Sequence, residues 1–424
     1  MRKKYRLNLL KLAQIMFVTL SAFSLEWALW AELPYTSLLF TLSCMGGFGL
    51  MFIYVAPKIQ EINWKKVLPE YMYFIVWIAL MIIAYEVFYP IHQKNTFLVL
   101  TMDSYAIFFI RLLVAVIPFM FFVDLNKFKE TKLFKLVLAV VIGTNAFFTF
   151  RAVQFYPDAI RARATMEHIG AEEFLFATPD YEIVYGMALI FPVLLQKIKS
   201  AQTKMDKIIY LIFTGVVFYI IMVSQFATAL LITIVGSLIF IMLSLRKNKR
   251  VLMVSVIGFL VFYVHITKMD VEFLNLLADA VDGVWSGKLR DIAVSISGSS
   301  LSGSLSERND LYQESLETFL ENPLFGILTN PTGSIGGHAT AFDILGLTGI
   351  FGFIPFVLTL VYNFRRVCRT CNYPKNKAAI IACNIELIIV IFTKNIISSL
   401  SLFFAFFVLL PMLLKMENSE ERIS

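Results

Sequence analysis

Phe74–Phe88 reads FIVWIALMIIAYEVF, and nothing in it alternates. A half-buried strand would switch between apolar and polar at every residue, and a membrane barrel is built from alternating segments of about ten residues. An unbroken apolar run instead fits a helix in lipid, where backbone N–H and C=O groups must pair within their own segment. Crossing a hydrocarbon core of about 30 Å takes roughly 20 helical residues, and such runs recur along nearly the whole chain. The composition agrees: 424 residues, 58% hydrophobic and only 16% charged, with a mean hydropathy of +0.75. A soluble domain averages about 45–50% apolar and about 25% charged. The fold class expected is all-α, a single polytopic membrane domain over residues 1–424.

Twelve spans account for the runs: 10–30, 35–56, 70–90, 104–123, 133–150, 181–197, 207–223, 226–245, 251–268, 339–363, 378–397 and 400–415. The last two are divided at KNIISSLS, Lys394–Ser401, because one helix of that combined length would overshoot the bilayer. Lysine and arginine collect in alternate connections, among them MRKKYR, KIQEINWKK, NKFKETKLFK, QKIKSAQTKMDK, RKNKR and RRVCRTCNYPKNK. By the positive-inside rule these are cytoplasmic, as are both termini. The net charge of +7 therefore reports topology, and no nucleic-acid partner is implied. The basic start followed by an apolar run mimics a signal peptide, but the run continues to Trp30 without a small-residue cleavage site, so it reads as the first anchored helix. Of four cysteines, Cys368 and Cys371 form CRTC in a cytoplasmic loop. A zinc site would need a second ligand pair nearby, and none follows.

Two extracytoplasmic connections are long, at 151–180 and 270–338. Loops beyond about 12–15 residues are more often functional or disordered than mere connections. The larger one carries SERNDLYQESLETFLENPLFGILTNPTGSIGGH from Ser306 to His338. Ser304 and Glu307 fit a capping box. Tyr312, Leu316, Phe319 and Leu320 then recur as one apolar stripe, predicting an amphipathic helix near 305–321 on the membrane face or across the mouth of the bundle. Asn322-Pro323 ends it, because the residue before proline avoids the α region. Gly326, Gly333, Gly336 and Gly337 permit tight turns and close backbone approach to a ligand.

An arginine (Arg308), an amphipathic helix, Asn322-Pro323-Leu324-Phe325-Gly326, His338, and an apolar helix containing the GxxG step Gly349-Ile350-Phe351-Gly352 resemble the signature of the O-antigen polymerase and ligase superfamily. The local likeness covers about 50 residues, and the twelve-span layout with one dominant outer loop agrees with it over the rest. The resemblance implies a GT-C-like membrane fold and glycosyl transfer at the outer face of a bacterial plasma membrane. The donor would be an undecaprenyl diphosphate-linked oligosaccharide and the acceptor the hydroxyl of another lipid-linked repeat, making the protein a Wzy-type polysaccharide polymerase of capsule, O-antigen or exopolysaccharide. Its partners would be membrane lipids, a flippase and a chain-length regulator. A ligase attaching finished glycan to a lipid or protein acceptor is the alternative, and a lipid-linked oligosaccharide flippase a third.

The chemistry sets two needs. A departing diphosphate concentrates negative charge, which guanidinium groups meet bidentately; Arg308 is the candidate, with Arg161 and Arg163 from the smaller loop. The acceptor hydroxyl needs a base, and histidine titrates near neutrality; His338 is the candidate. Arg111, a charge within a span, normally faces a cavity or a partner, either the substrate path or Asp103. Gly326 and Gly337 would admit the diphosphate or glycan. Each has a plainer reading: His338 as an interfacial anchor, Arg308 paired with Glu307 or Asp310, and Arg161 and Arg163 as a headgroup patch. Asp279 and Asp282 are the outer-loop carboxylates weighed as metal ligands, and transfer with no metal and no cofactor is expected, the arginines supplying the charge.

Overall fold

The computed structural model describes residues 64–85, 131–155, 181–245, 269–280, 284–296, 304–329, 333–397 and 399–420 continuously, with isolated positions elsewhere. Among these residues all regular structure is helical. The helices are α1 (Trp64–Ile83), α2 (Thr131–Phe155), α3 (Tyr181–Ser200), α4 (Lys204–Val223), α5 (Ala227–Ser244), α6 (Met269–Ala280), α7 (Val284–Ile296), α8 (Ser304–Glu321), α9 (Thr340–Thr370), α10 (Tyr373–Thr393), α11 (Leu400–Phe404) and α12 (Leu410–Glu420).

Six of them are long and apolar enough to cross a membrane: Leu133–Phe155 in α2, then α3, α4, α5, α9 and α10. Shorter apolar helices cover Tyr71–Ile83 and Leu400–Lys415. By length and composition the chain is a multi-pass, all-helical membrane protein. These helices fall where the sequence placed spans at 70–90, 133–150, 181–197, 207–223, 226–245, 339–363, 378–397 and 400–415. The spans at 10–30, 35–56, 104–123 and 251–268 lie outside the continuously described residues. Two boundaries differ from expectation. Helix α2 continues through Arg151 to Phe155, so the smaller loop begins later than residue 151. Helix α9 runs on to Thr370, past the expected end at residue 363.

Helix α3 is the hub, apolar all round and largely buried, packed against α4, α5, α10, α11 and α12. A helix hydrophobic on every side belongs inside a bundle. Helix α5, by contrast, exposes Leu231, Ile234, Leu238 and Ile241 along one stripe, the pattern of a lipid-facing surface. Trp77 of α1 stands 5.1 Å from the Phe356 ring of α9 and 5.4 Å from Phe403 of α11, tying three elements with aromatic pairs worth about 0.5–1.5 kcal/mol each beyond their buried area.

Helix α9 contains a break that places everything above it. Gly349 adopts φ 59°, ψ −160°, a region essentially closed to side-chain-bearing residues. The N–H groups of Ile350 and Phe351 leave the helical ladder and donate to Pro323 O at 2.9 Å and Leu324 O at 3.1 Å. Asn322–Gly326 is thus spliced by its backbone onto the break in α9. Gly326 itself (φ 54°) is buried, and a Cβ there would strike the backbone of Gly346.

Candidate functional site

The site starts from one face of α8. Arg308, Tyr312 and Ser315 recur at helical spacing, and Thr318 follows one turn on. Ser315 and Thr318 are buried, and they do the docking. Thr318 Oγ1 donates to Ser334 O at 2.6 Å and accepts the Ser334 N–H at 3.0 Å. Ser315 Oγ accepts the Gly336 N–H at 3.0 Å and donates to Asp343 Oδ1 at 2.8 Å. The face that docks on protein is thus the hydroxyl-bearing one, while of the apolar stripe Tyr312, Leu316 and Phe319 are half-buried and Leu320 is 66% exposed. The opposing surface is extended backbone at 333–339, whose N–H and C=O groups need hydroxyl partners, not methyl groups.

Asp343, in the first turn of α9, organises the segment that carries His338. It is 1% exposed and accepts the N–H of Gly337 at 3.2 Å and of Ala339 at 3.1 Å, besides the Ser315 hydroxyl; the His338 N–H points to it as well. Gly337 at φ 70° makes that ring of amides possible, since three successive donors converge on one carboxyl only when the chain turns through the left-handed region. His338 is held by its backbone while its side chain is exposed.

Arg308 enters from the other side. It is half-buried, forms no salt bridge among the described residues, and lies within electrostatic reach of the hydroxyls of both Tyr185 and Tyr312. Tyr312 donates to Thr393 O at 3.3 Å. Burial pushes its hydroxyl above the ordinary value near 10, the Arg308 guanidinium opposes that rise, and Asp343 adds to it. Tyr312 therefore feels both the arginine and the carboxyl that holds the His338 segment. Tyr185, buried at the start of α3, bonds Thr228 and stacks on Phe226 with centroids 6.2 Å apart. Lys394 Nζ stands 5.8 Å from the Tyr185 ring centroid, and Lys288 Nζ donates to Gln225 O at 3.3 Å. The backbone carbonyl of Lys394 accepts from both the N–H and the hydroxyl of Thr340, at 3.0 and 2.9 Å.

One end of the bundle thus gathers the start of α3, the α4–α5 turn, α7, α8, the start of α9 and the end of α10. Arg308 and Lys394 stand near Tyr185, Arg308 also near Tyr312; Lys288 is held at the α4–α5 turn of the same end, and the exposed His338 is carried there by its backbone. Such an arrangement suits a polyanionic group, with a proton acceptor beside it.

Of the residues read from sequence, Arg308 and His338 come to this end and Gly337 serves its backbone. Gly326 goes to the α8–α9 splice, where α9 covers it. Arg111, Arg161 and Arg163 lie outside the described residues. Asp279 pairs with Arg290 at 2.9 Å on the exposed α6–α7 hairpin; Asp282 lies outside the described residues. Among the described residues no group of three or more His, Cys, Asp or Glu is placed to hold a metal ion. The sequence reading missed Tyr185, Ser315 and Asp343. Asp343 left one signal, an acid in the first turn of an apolar span, where charge is costly without a partner. No protein-family model matches this chain, and no curated protein matches it.

Proposed function

We propose that the protein is a polysaccharide polymerase that moves a growing glycan from undecaprenyl diphosphate to the hydroxyl of a lipid-linked repeat unit, at the outer face of a bacterial plasma membrane. The observation that supports this reading is the convergence of Arg308 and the Asp343-held His338 segment at one end of the bundle, the end that also carries Lys394 and Lys288. In this reading His338 takes the proton of the acceptor hydroxyl as its oxygen attacks the anomeric carbon. The bond from that carbon to the diphosphate oxygen breaks, and the electron pair leaves with the lipid diphosphate. Arg308 and the two lysines offset the charge that develops there, a contribution electrostatic preorganisation supplies without a metal. The outer location follows from the positive-inside reading, because every element of this end lies opposite the basic connections.

Purified protein in nanodiscs, given a synthetic diphosphate-linked repeat, should yield a ladder of products and release lipid diphosphate, with or without EDTA. His338→Ala should lose turnover by at least about 100-fold, the span typical of a general base, while still eluting as a monodisperse species. A single addition to a different acceptor would move the assignment to ligase. Undiminished turnover in His338→Ala would remove it from the chemistry, and loss of activity with EDTA would overturn the metal-free mechanism.

A further inference from the structure

The turn after α8 is unlike an aqueous loop. Leu320, Leu324 and Phe325 are 66%, 63% and 40% exposed. They continue a stripe of exposed apolar residues on α9 formed by Ile350, Phe351, Ile354, Val357 and Val361. The two surfaces are joined by a hydrogen bond and by contact: the Phe351 N–H donates to Leu324 O, and the Phe325 and Phe351 rings lie 5.3 Å apart. Since α9 is a candidate span, its exposed stripe faces lipid, and the turn extends that surface.

Distances along α9 give the depth. Near its far end Arg365 stands 5.4 Å over the Tyr362 ring, and Tyr73 stacks on Tyr362 at 5.1 Å. Tyrosine rings beside a cation are what a membrane–water boundary collects. At a rise of 1.5 Å per residue, Gly349 lies roughly 24 Å from Arg365 along the axis. Against a hydrocarbon core of about 30 Å, Gly349 falls about 6 Å inside the opposite edge. The segment Thr340–Thr348, beyond the break, carries the chain on toward the headgroups. The turn bonded to Ile350 and Phe351 shares the depth of Gly349.

We infer that the side chains of Leu320, Leu324 and Phe325 form a wedge inserted among the lipid acyl chains of the leaflet nearest the site, so that α8 slants from the headgroup layer at Arg308 toward hydrocarbon at its C-terminal end. The splice onto α9 serves this position. A helix broken at membrane depth frees N–H groups that lipid cannot satisfy, and the carbonyls of Pro323 and Leu324 receive them. The exposed flank changes character along the chain, with Asp310, Gln313 and Glu317 before Leu320, and Leu324 and Phe325 following the exposed Glu321 that ends α8.

The test needs no substrate. The photoreactive residue p-benzoylphenylalanine replaces Leu324, or Leu320 as a second position, in full-length protein held in phosphatidylethanolamine/phosphatidylglycerol nanodiscs, with Glu317 as the control. After irradiation, mass spectrometry should find phospholipid adducts at 324 and 320 at least tenfold above those at 317. A cross-linked dimer at 324 would show that a second copy covers the surface, and an absence of adducts at both positions would show that water does. Either result overturns the inference.

Discussion

Replacing Asp343 with alanine is the sharpest test of the site's construction, because one side chain holds three separate pieces of backbone and helix. Its carboxyl accepts the Ser315 hydroxyl at 2.8 Å, the Gly337 N–H at 3.2 Å and the Ala339 N–H at 3.1 Å, at 1% exposure. Leaving a buried donor unsatisfied costs about 1–3 kcal/mol. Gly337 is only half-buried, so water recovers part of that loss, and the expected local destabilisation is about 2–4 kcal/mol. At about 1.4 kcal/mol per tenfold, the amides of 337–339 should open roughly 30- to 1000-fold more often. Hydrogen exchange followed by mass spectrometry on peptides covering 333–343 reads this directly. Peptides from α4 and α5 should stay protected. Ser315→Ala keeps the amide bonds to Asp343 and removes only the hydroxyl bond and the acceptor of the half-buried Gly336 N–H, so its effect should be about one decade. Turnover should fall in Asp343→Ala as His338 loses its fixed position. Protection of Gly337 and Ala339 within twofold of wild type in Asp343→Ala would refute the claim that this carboxyl holds the segment.

Two further substitutions probe the frame. Gly349→Ala should destabilise by about 2–5 kcal/mol, combining backbone strain with weakened bonds from Ile350 and Phe351 to the turn, as read by denaturant unfolding in mixed micelles. Gly143→Ala, where a built Cβ meets nothing within 4 Å, should be neutral or slightly stabilising, and equal effects at both sites would dismiss the break as the reason. Gly236→Ala should push aside the Glu386 carboxyl, which is fully buried against it and has neither oxygen hydrogen-bonded among the described residues, at a cost of about 1–3 kcal/mol. With Glu386→Ala already present the same change should cost less than about 0.5 kcal/mol, the signature of two residues that share one space; strict additivity would contradict the contact.

Much of the fold was legible in the chain. Long apolar runs must become helices in lipid, so α3, α4, α5 and α10 appear where the hydropathy placed them, and α8 stops at Glu321, just before Asn322-Pro323. Arg308 and His338 were legible as residue types too, since both stand in the one long polar stretch. The partners of these two residues were not. Tyr185 and Asp343 sit in separate helices, and no spacing in the sequence links either to Arg308.

Sequence alone determined that this protein is a bundle of membrane helices with a polar segment at one end, because the hydrocarbon solvent leaves the backbone no other choice. Tertiary structure decided which face of α8 is buried. Periodicity tells which residues share a face, but whether that face meets bare backbone, which wants Ser315 and Thr318, or a greasy surface, which suits Leu320 and Leu324, depends on what lies opposite. It also decided the duty of the glycines: Gly326 and Gly349 close the gap between two chains, and Gly337 turns three amides toward one carboxyl.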